Sequence, residues 1–190
     1  ALLEADMIDY ARMKFRLAKE NTLQASLYGS VDVITPYATP WRVIMAAGKA
    51  TELVENNDIV SNLNPANKIE DTSWINPGKV IRVARLTQAD AIKCVDFAAQ
   101  RGLQYIHLDA GWYGTEVLMS SDAASVGQNR DFDMPELVNY AASKGIGVWV
   151  YVNQRALFQQ LDELLPLYKE WGIKGIKFGF VQVGNQYWSA

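Results

Sequence analysis

The sequence predicts an α/β protein, the first half of a (β/α)8 TIM barrel preceded by the tail of a β-sandwich domain. Three observations carry that prediction. From residue 79 onward short apolar runs alternate with helical patterns, the arrangement that builds a parallel sheet. Three of those helical patterns end on a glycine, Gly102, Gly145 or Gly172, directly ahead of the next strand, as a left-handed helix cap requires. Before residue 50 the rhythm differs, with short β-type runs broken by Gly, Pro or polar residues.

The early runs are MKFRLA (13–18), TLQASLYG (22–29), VDVITPY (31–37) and WRVIMAA (41–47). Four strands are too few to close a sandwich, so residues 1–47 are assigned as the last strands of one. Residues 48–78 turn polar and hold two Asn-Pro steps, which favour extended or turn geometry, and they are assigned as a linker. Residues 79–190 are assigned as the first four βα units of a barrel. KVIRVA (79–84) is the first strand. Thr87 with Asp90 signals a helix start, and Ala91, Val95, Ala98 and Ala99 line one face of that helix. LQYIHLD (103–109) is the second strand, followed by a long loop to Asp133 and a helix over MPELVNYAASK (134–144). IGVWVYVN (146–153) is the third strand. A helix over 155–171 carries Leu157, Leu161, Leu164 and Tyr168, with a kink expected at Pro166. IKGIKFGFV (173–181) is the fourth strand. No GxGxxG follows the first strand, which disfavours a doubly wound dinucleotide fold. Barrels run to about 250 residues, so the chain is expected to stop midway through one, at Ala190.

Composition narrows the function classes. A hydrophobic content of 49% suffices for a core, and a formal net charge of −3 leaves no cationic footprint for nucleic acid. No apolar run approaches the roughly 20 residues of a membrane span. The N-terminus ALLEADMIDYARMKF has early acids and lacks a signal peptide's basic start and apolar centre, although such a segment would lie upstream or be removed. The single cysteine, Cys94, excludes an internal disulfide and a multi-cysteine metal site, and is read as a small buried side chain. Six Trp and nine Tyr suit the flat faces of sugars and equally suit a core.

Strand side chains alternate, so one parity faces the helices and the other the barrel axis. Ile106 and Leu108, then Ile146, Val148, Val150 and Val152, then Ile176, Phe178 and Phe180 form a greasy outer row. Tyr105, His107 and Asp109, then Gly147, Trp149, Tyr151 and Asn153, then Gly175, Lys177, Gly179 and Val181 face inward. Barrel chemistry sits at the carboxyl ends of the strands, which places Asp109, Asn153 and Gly179 at the rim with Trp112 and Tyr113 just above. Asp109 reads as a catalytic carboxylate or as an acceptor for its own loop. Asn153 reads as a ligand for a substrate hydroxyl or as a loop clasp. His107, the only histidine, reads as a satisfied interior residue before it reads as a base. Lys177 reads as a partner of Asp109 or of substrate oxygens, and less readily as an aldolase-type Schiff-base lysine.

Four segments, EDTSWINPGK (70–79), CVDFAAQRGLQYIHLDAGWYG (94–114), YAASKGIGVWVYVN (140–153) and WGIKGIKFGFVQVGNQYW (171–188), resemble glycoside hydrolase family 97. TPWRVI (39–44) is similar to the last strand of that family's N-terminal β-sandwich. The resemblance implies bacterial, usually periplasmic, calcium-assisted exo-acting α-glycosidases. It also implies that retaining members carry an aspartate nucleophile in the fourth strand, in a segment like K-x-D-F. Here the segment is Lys177-Phe178-Gly179-Phe180, so glycine stands at the nucleophile position, as in the family's inverting α-glucosidases. The resemblance places the glutamate acid and base and most calcium ligands after the fourth strand, so no catalytic residue is assigned within the chain. Asp109, Trp112, Asn153 and Lys177 are assigned to substrate binding, with Gly179 leaving a vacancy in the floor. KVIRVAR departs from the family's tryptophan-rich first strand, which puts contacts from that strand in doubt.

The expected function is hydrolysis of terminal α-glucosidic bonds in starch-type oligosaccharides with inversion. The alternatives are an α-galactosidase of the same family, a non-catalytic carbohydrate-binding fragment and a lysine-dependent aldolase. An open fourth-strand edge predicts self-association of the isolated chain.

Overall fold

A computed structural model describes residues 1–116, 118, 120–127 and 130–189. The loop to Asp133 and the terminal Ala190 therefore lie partly outside the described residues. The chain forms two compact bodies, one of Ala1–Thr72 with Gln182–Ala190 and the other of Ser73–Val181.

In the first body β1 (Leu2–Ala5) pairs antiparallel with β4 (Trp41–Ile44), and β2 (Met13–Lys19) with β3 (Thr22–Leu27). β1 escaped the sequence reading because its four residues carry no alternation. VDVITPY, expected as a strand, is not one: Ile34 stands exposed, and Pro36 has no N–H to give a ladder. The expected linker is not wholly irregular either. It holds two short helices, α1 (Ala50–Glu55) and α2 (Asp58–Asn62), neither of which buries a residue. The segment after the last barrel strand belongs to this body. The Gln186 amide bonds to Asp9 and Asp32, and the Ser189 hydroxyl donates to the Tyr10 carbonyl.

The second body is a half barrel. β5 (Val80–Arg82), β6 (Tyr105–Leu108), β7 (Gly147–Asn153) and β8 (Gly175–Gly179) form one parallel sheet in sequence order. Its helices are α3 (Gln88–Arg101), α4 (Met134–Ser143) and α5 (Gln154–Trp171). Local chemistry sets each boundary. The Thr87 hydroxyl accepts from the Asp90 N–H, Asp133 does the same for Glu136, and Gly102, Gly145 and Gly172 all stand at positive φ. The core lies between sheet and helices. Ile106, Leu108, Val148, Val150 and Val152 meet Ala91, Val95, Ala98, Leu137, Ala141, Leu164 and Tyr168. At roughly 1.5–3 kcal/mol for each large buried apolar side chain, this outer row is what fixes strand parity.

Several helix details differ from expectation. Ala99 and Leu161 are exposed, because real helices of this length bury a narrower stripe than the four positions chosen. α5 leaves helical geometry at Gln160 rather than at Pro166. Gln160 turns its side chain into the preceding loop, accepting from Ala123 N–H and donating to Asp122.

Candidate functional site at the inner face of the half barrel

The inner row forms as alternation requires, and its glycines have a packing reason. In register Tyr105 lies opposite Gly147, and Trp149 opposite Gly175. A Cβ on Gly147 would come within 2.6 Å of the Tyr105 ring, and one on Gly175 within 2.6 Å of Trp149. A Cβ on Gly179 would come within 2.2 Å of Tyr151 Cε2 and 3.0 Å of its hydroxyl oxygen. The expected vacancy at Gly179 is thus corrected. The space is filled by the Tyr151 ring, because each aromatic of one strand lies over a glycine of the next.

Asp109 is the electrostatic centre. Its Oδ1 accepts from Lys177 Nζ at 2.8 Å and from the Ala110 N–H at 2.9 Å, and its Oδ2 faces an Arg82 guanidinium nitrogen at 3.4 Å. Burial opposes its ionisation, but the Lys177 and Ala110 hydrogen bonds and the neighbouring His107 and Lys177 outweigh it. They hold the carboxyl at about 2 against an ordinary 3.8. A carboxyl held there is a fixed anion and a poor proton donor. Lys177 extends over the Tyr151 ring, with Nζ 5.6 Å from its centroid. Its ion pair with Asp109 matches the pairing reading, and nothing in its surroundings marks a Schiff-base lysine. Arg82 was missed by sequence reasoning. Its register position beside His107 would have found it, had parity been extended to the first strand.

His107 is buried, yet its Nε2 stands 3.9 Å from Asp109 Oδ1 and has no hydrogen-bond partner among the described residues. It is not the satisfied interior residue expected. Burial lowers its pKa, so the imidazole is neutral at neutral pH.

Two expected substrate ligands are corrected. Trp112 is completely buried on the helix side, against Tyr168 and Trp171 of α5, and its indole N–H donates to the Tyr151 carbonyl at 2.7 Å. No sugar can stack on it. The loop that carries it turns back under the rim, a reversal that strand parity does not foresee. Asn153 is also buried, and its Oδ1 accepts from Arg155 N–H at 2.8 Å, capping α5. Phe180 departs as well. β8 ends at Gly179, Phe180 takes a positive φ, and its exposed ring meets Tyr151 edge-on at 5.9 Å instead of pointing to the helices. Val181 lies past the strand's end.

The loop after β6 closes around Glu116, which sequence reasoning also missed. Its carboxylate accepts from the Gly111 N–H at 2.5 Å and from the Tyr113 hydroxyl, whose oxygen accepts from the Asn153 N–H at 3.0 Å. Burial pushes the Glu116 carboxyl up from its ordinary value, against the pull of those two donors. Among the described residues no group of three or more His, Cys, Asp or Glu side chains could hold a metal ion. Asp109, already engaged by Lys177 and Arg82, does not fit the calcium that the family resemblance implies.

The comparisons with known proteins agree with this architecture. A family profile described as glycoside hydrolase 97 matches residues 73–190, and one described as glycosyl-hydrolase 97 N-terminal matches residues 1–65. A probable retaining alpha-galactosidase of Streptomyces bingchenggensis is 33% identical over 158 residues, covering 78% of this chain and 24% of that protein. A retaining alpha-galactosidase of Bacteroides thetaiotaomicron is 29% identical over 168 residues, covering 82% of this chain and 24% of its own length. The chain thus spans about a quarter of the length of these relatives. Among solved structures a beta-arabinopyranosidase superposes with a TM-score of 0.72 at 19% identity, over 97% of this chain and 32% of that one. That likeness shows the fold, a β-sandwich portion followed by part of a (β/α)8 barrel.

Proposed function

The chain belongs to glycoside hydrolase family 97, and from that premise we propose that the whole protein hydrolyses terminal α-glucosidic bonds with inversion at the anomeric carbon. One observation carries the inverting mechanism: the site above Gly179 is closed by Tyr151 at 2.2 Å from where a Cβ would stand. A carboxylate nucleophile cannot project from that position, so no glycosyl ester forms there. Inversion instead requires a base that activates water and an acid on the opposite side, with carboxyls about 6.5–9.5 Å apart. In this reading both come from outside the chain. Its own residues form the floor, with the Lys177–Asp109–Arg82 charge cluster holding sugar hydroxyls and orienting the ring. Asp109, fixed as an anion, accepts from those hydroxyls and does not transfer a proton.

A second reading is an α-galactosidase, favoured by the names of the two relatives at 33% and 29% identity. Two further expectations stand as proposals. Calcium, where the whole protein uses it, is held by residues other than those described, and no step above runs through it. The whole protein works in the periplasm, and no helix among the described residues is long and apolar enough to cross a membrane.

Proton NMR of the first-released sugar tests the mechanism, with nitrophenyl α-glucoside and α-galactoside offered in parallel to the whole protein. The β-anomer of glucose is expected. Release of the α-anomer overturns inversion, and preferential turnover of the galactoside overturns the glucosidase reading.

A further inference from the structure

Glu116 lies seven residues beyond Asp109, in the loop that follows β6. Its geometry is that of a clasp. One carboxylate oxygen takes the Gly111 N–H, the other takes the Tyr113 hydroxyl, and the Tyr113 oxygen in turn takes the Asn153 N–H. The chain of hydrogen bonds therefore runs from the turn after Asp109 to the carboxyl end of β7. Gly111 stands at a φ of 96°, and its carbonyl is held from the other side by Arg130 Nε at 3.0 Å. Between the ends of the clasp, Trp112 is locked to the Tyr151 carbonyl. Tyr151 is the ring that closes Gly179 and lies beneath Lys177. The clasp thus spans the two strand ends that present Asp109 and Tyr151.

Each donor in this arrangement wants a charged acceptor. A buried carboxylate costs free energy unless it is hydrogen-bonded, and here one oxygen accepts from the Gly111 N–H and the other from the Tyr113 hydroxyl. Among the described residues Asp109 repels it, the neutral Tyr151 lies near it, and Arg130 binds the Gly111 carbonyl. A glutamine would keep one acceptor for the Gly111 N–H, but its NH2 would meet the Tyr113 hydroxyl and leave that O–H without its acceptor.

We propose that Glu116 is a positioning residue for the reaction, holding the β6 loop so that Asp109 and Tyr151 keep the geometry of the sugar floor. This inference rests on the reading of that floor as the sugar site, and its test is chosen to fail separately from it. Three variants of the whole protein, E116Q, Y113F and the double variant, are compared by hydrogen exchange over residues 109–116 and by steady-state kinetics. Loss of protection in that loop is expected in both single variants. A fall in kcat of roughly tenfold to a hundredfold is expected with a much smaller change in KM, as misplacement of orienting groups produces. The double variant is expected to be no worse than either single one, because both break the same chain of hydrogen bonds. Unchanged protection in E116Q overturns the clasp, whatever the activity. Lost protection with unchanged kcat, or additive losses in the double variant, overturns the positioning role. Should E116Q not fold, Y113F carries the same test, since it keeps the ring and removes the hydroxyl. A wild-type protein that cleaves neither glycoside overturns the proposed function while the exchange result still judges the clasp.

Discussion

At Gly179 one missing side chain decides how the inner face is built. Alanine there would push its Cβ to 2.2 Å from Tyr151, a contact that only displacement of a buried ring relieves. G179A is therefore expected to destabilise the whole protein by about 1–3 kcal/mol, the usual cost of overpacking, measured by urea unfolding. In a Y151A background the same substitution should cost clearly less than in the wild type, and an equal cost in both backgrounds would place the strain elsewhere. Asp109 and His107 set the pH dependence. Asp109 has a folded value of about 2, below its ordinary 3.8, so the unfolded state takes up the proton first. The stability it contributes is full above about 4 and lost as pH falls toward 2. His107 has a folded value below its ordinary 6.5, so unfolding gains from its protonation as soon as pH falls below that value. Two successive declines in unfolding free energy are expected on acidification. In D109N the lower decline should shrink, Asp122 still contributing there, and the upper one should deepen, because Asp109 is the neighbour that raises the His107 pKa.

Among the elements, α5 shows where a functional guess and a structural fact part company. Asn153 ends β7 and caps α5 through Arg155 N–H. N153A should cost about 1 kcal/mol through loss of the cap, and N153D or N153S should restore most of it. A sugar ligand would show the opposite pattern, a raised KM in all three with little change in thermal midpoint. The same element explains what the sequence made legible. Parity along β7 and β8, the Thr87 and Gly102 boundaries of α3, and the greasy outer row all follow from periods of 2 and 3.6 residues, which are local properties. The Lys177–Asp109 pair was legible for the same reason, since both side chains sit on the inner parity of strands. Trp112, Glu116 and Gln160 were not. Trp112 and Glu116 sit in a loop that folds back on itself, and Gln160 is the α5 residue that reaches into it, so their partners, Tyr151, Tyr113 and Ala123, are set by tertiary contacts that no periodicity encodes. The Tyr151 ring over Gly179 was within reach of sequence reasoning. Three aromatics and three glycines alternate on the inner row of adjacent strands, and large residues against small is how such rows interdigitate.

For the molecule as a whole, the half barrel poses a problem of edges. β5 and β8 each pair on one side only, so a row of N–H and C=O groups is open at both ends of the sheet among the described residues. β8 compounds this, because Phe178 is 46% exposed and Phe180 69% exposed, with no described helix covering that side of the strand. Phe158, Leu161 and Leu165 add a second exposed apolar stripe along α5. Unpaired strand edges beside apolar surface favour intermolecular pairing over a free monomer. The 190 residues expressed by themselves are therefore expected to self-associate, with a weight-average mass in sedimentation equilibrium that rises above 21.2 kDa as concentration increases. F178K, which places a charge on the exposed edge strand without touching the buried core, should lower that mass toward the monomer. A wild-type mass that stays at the monomer value over a wide concentration range, together with one cooperative melt, would mean that the sheet closes its own edges. The open half barrel would then be the wrong description of the chain in solution.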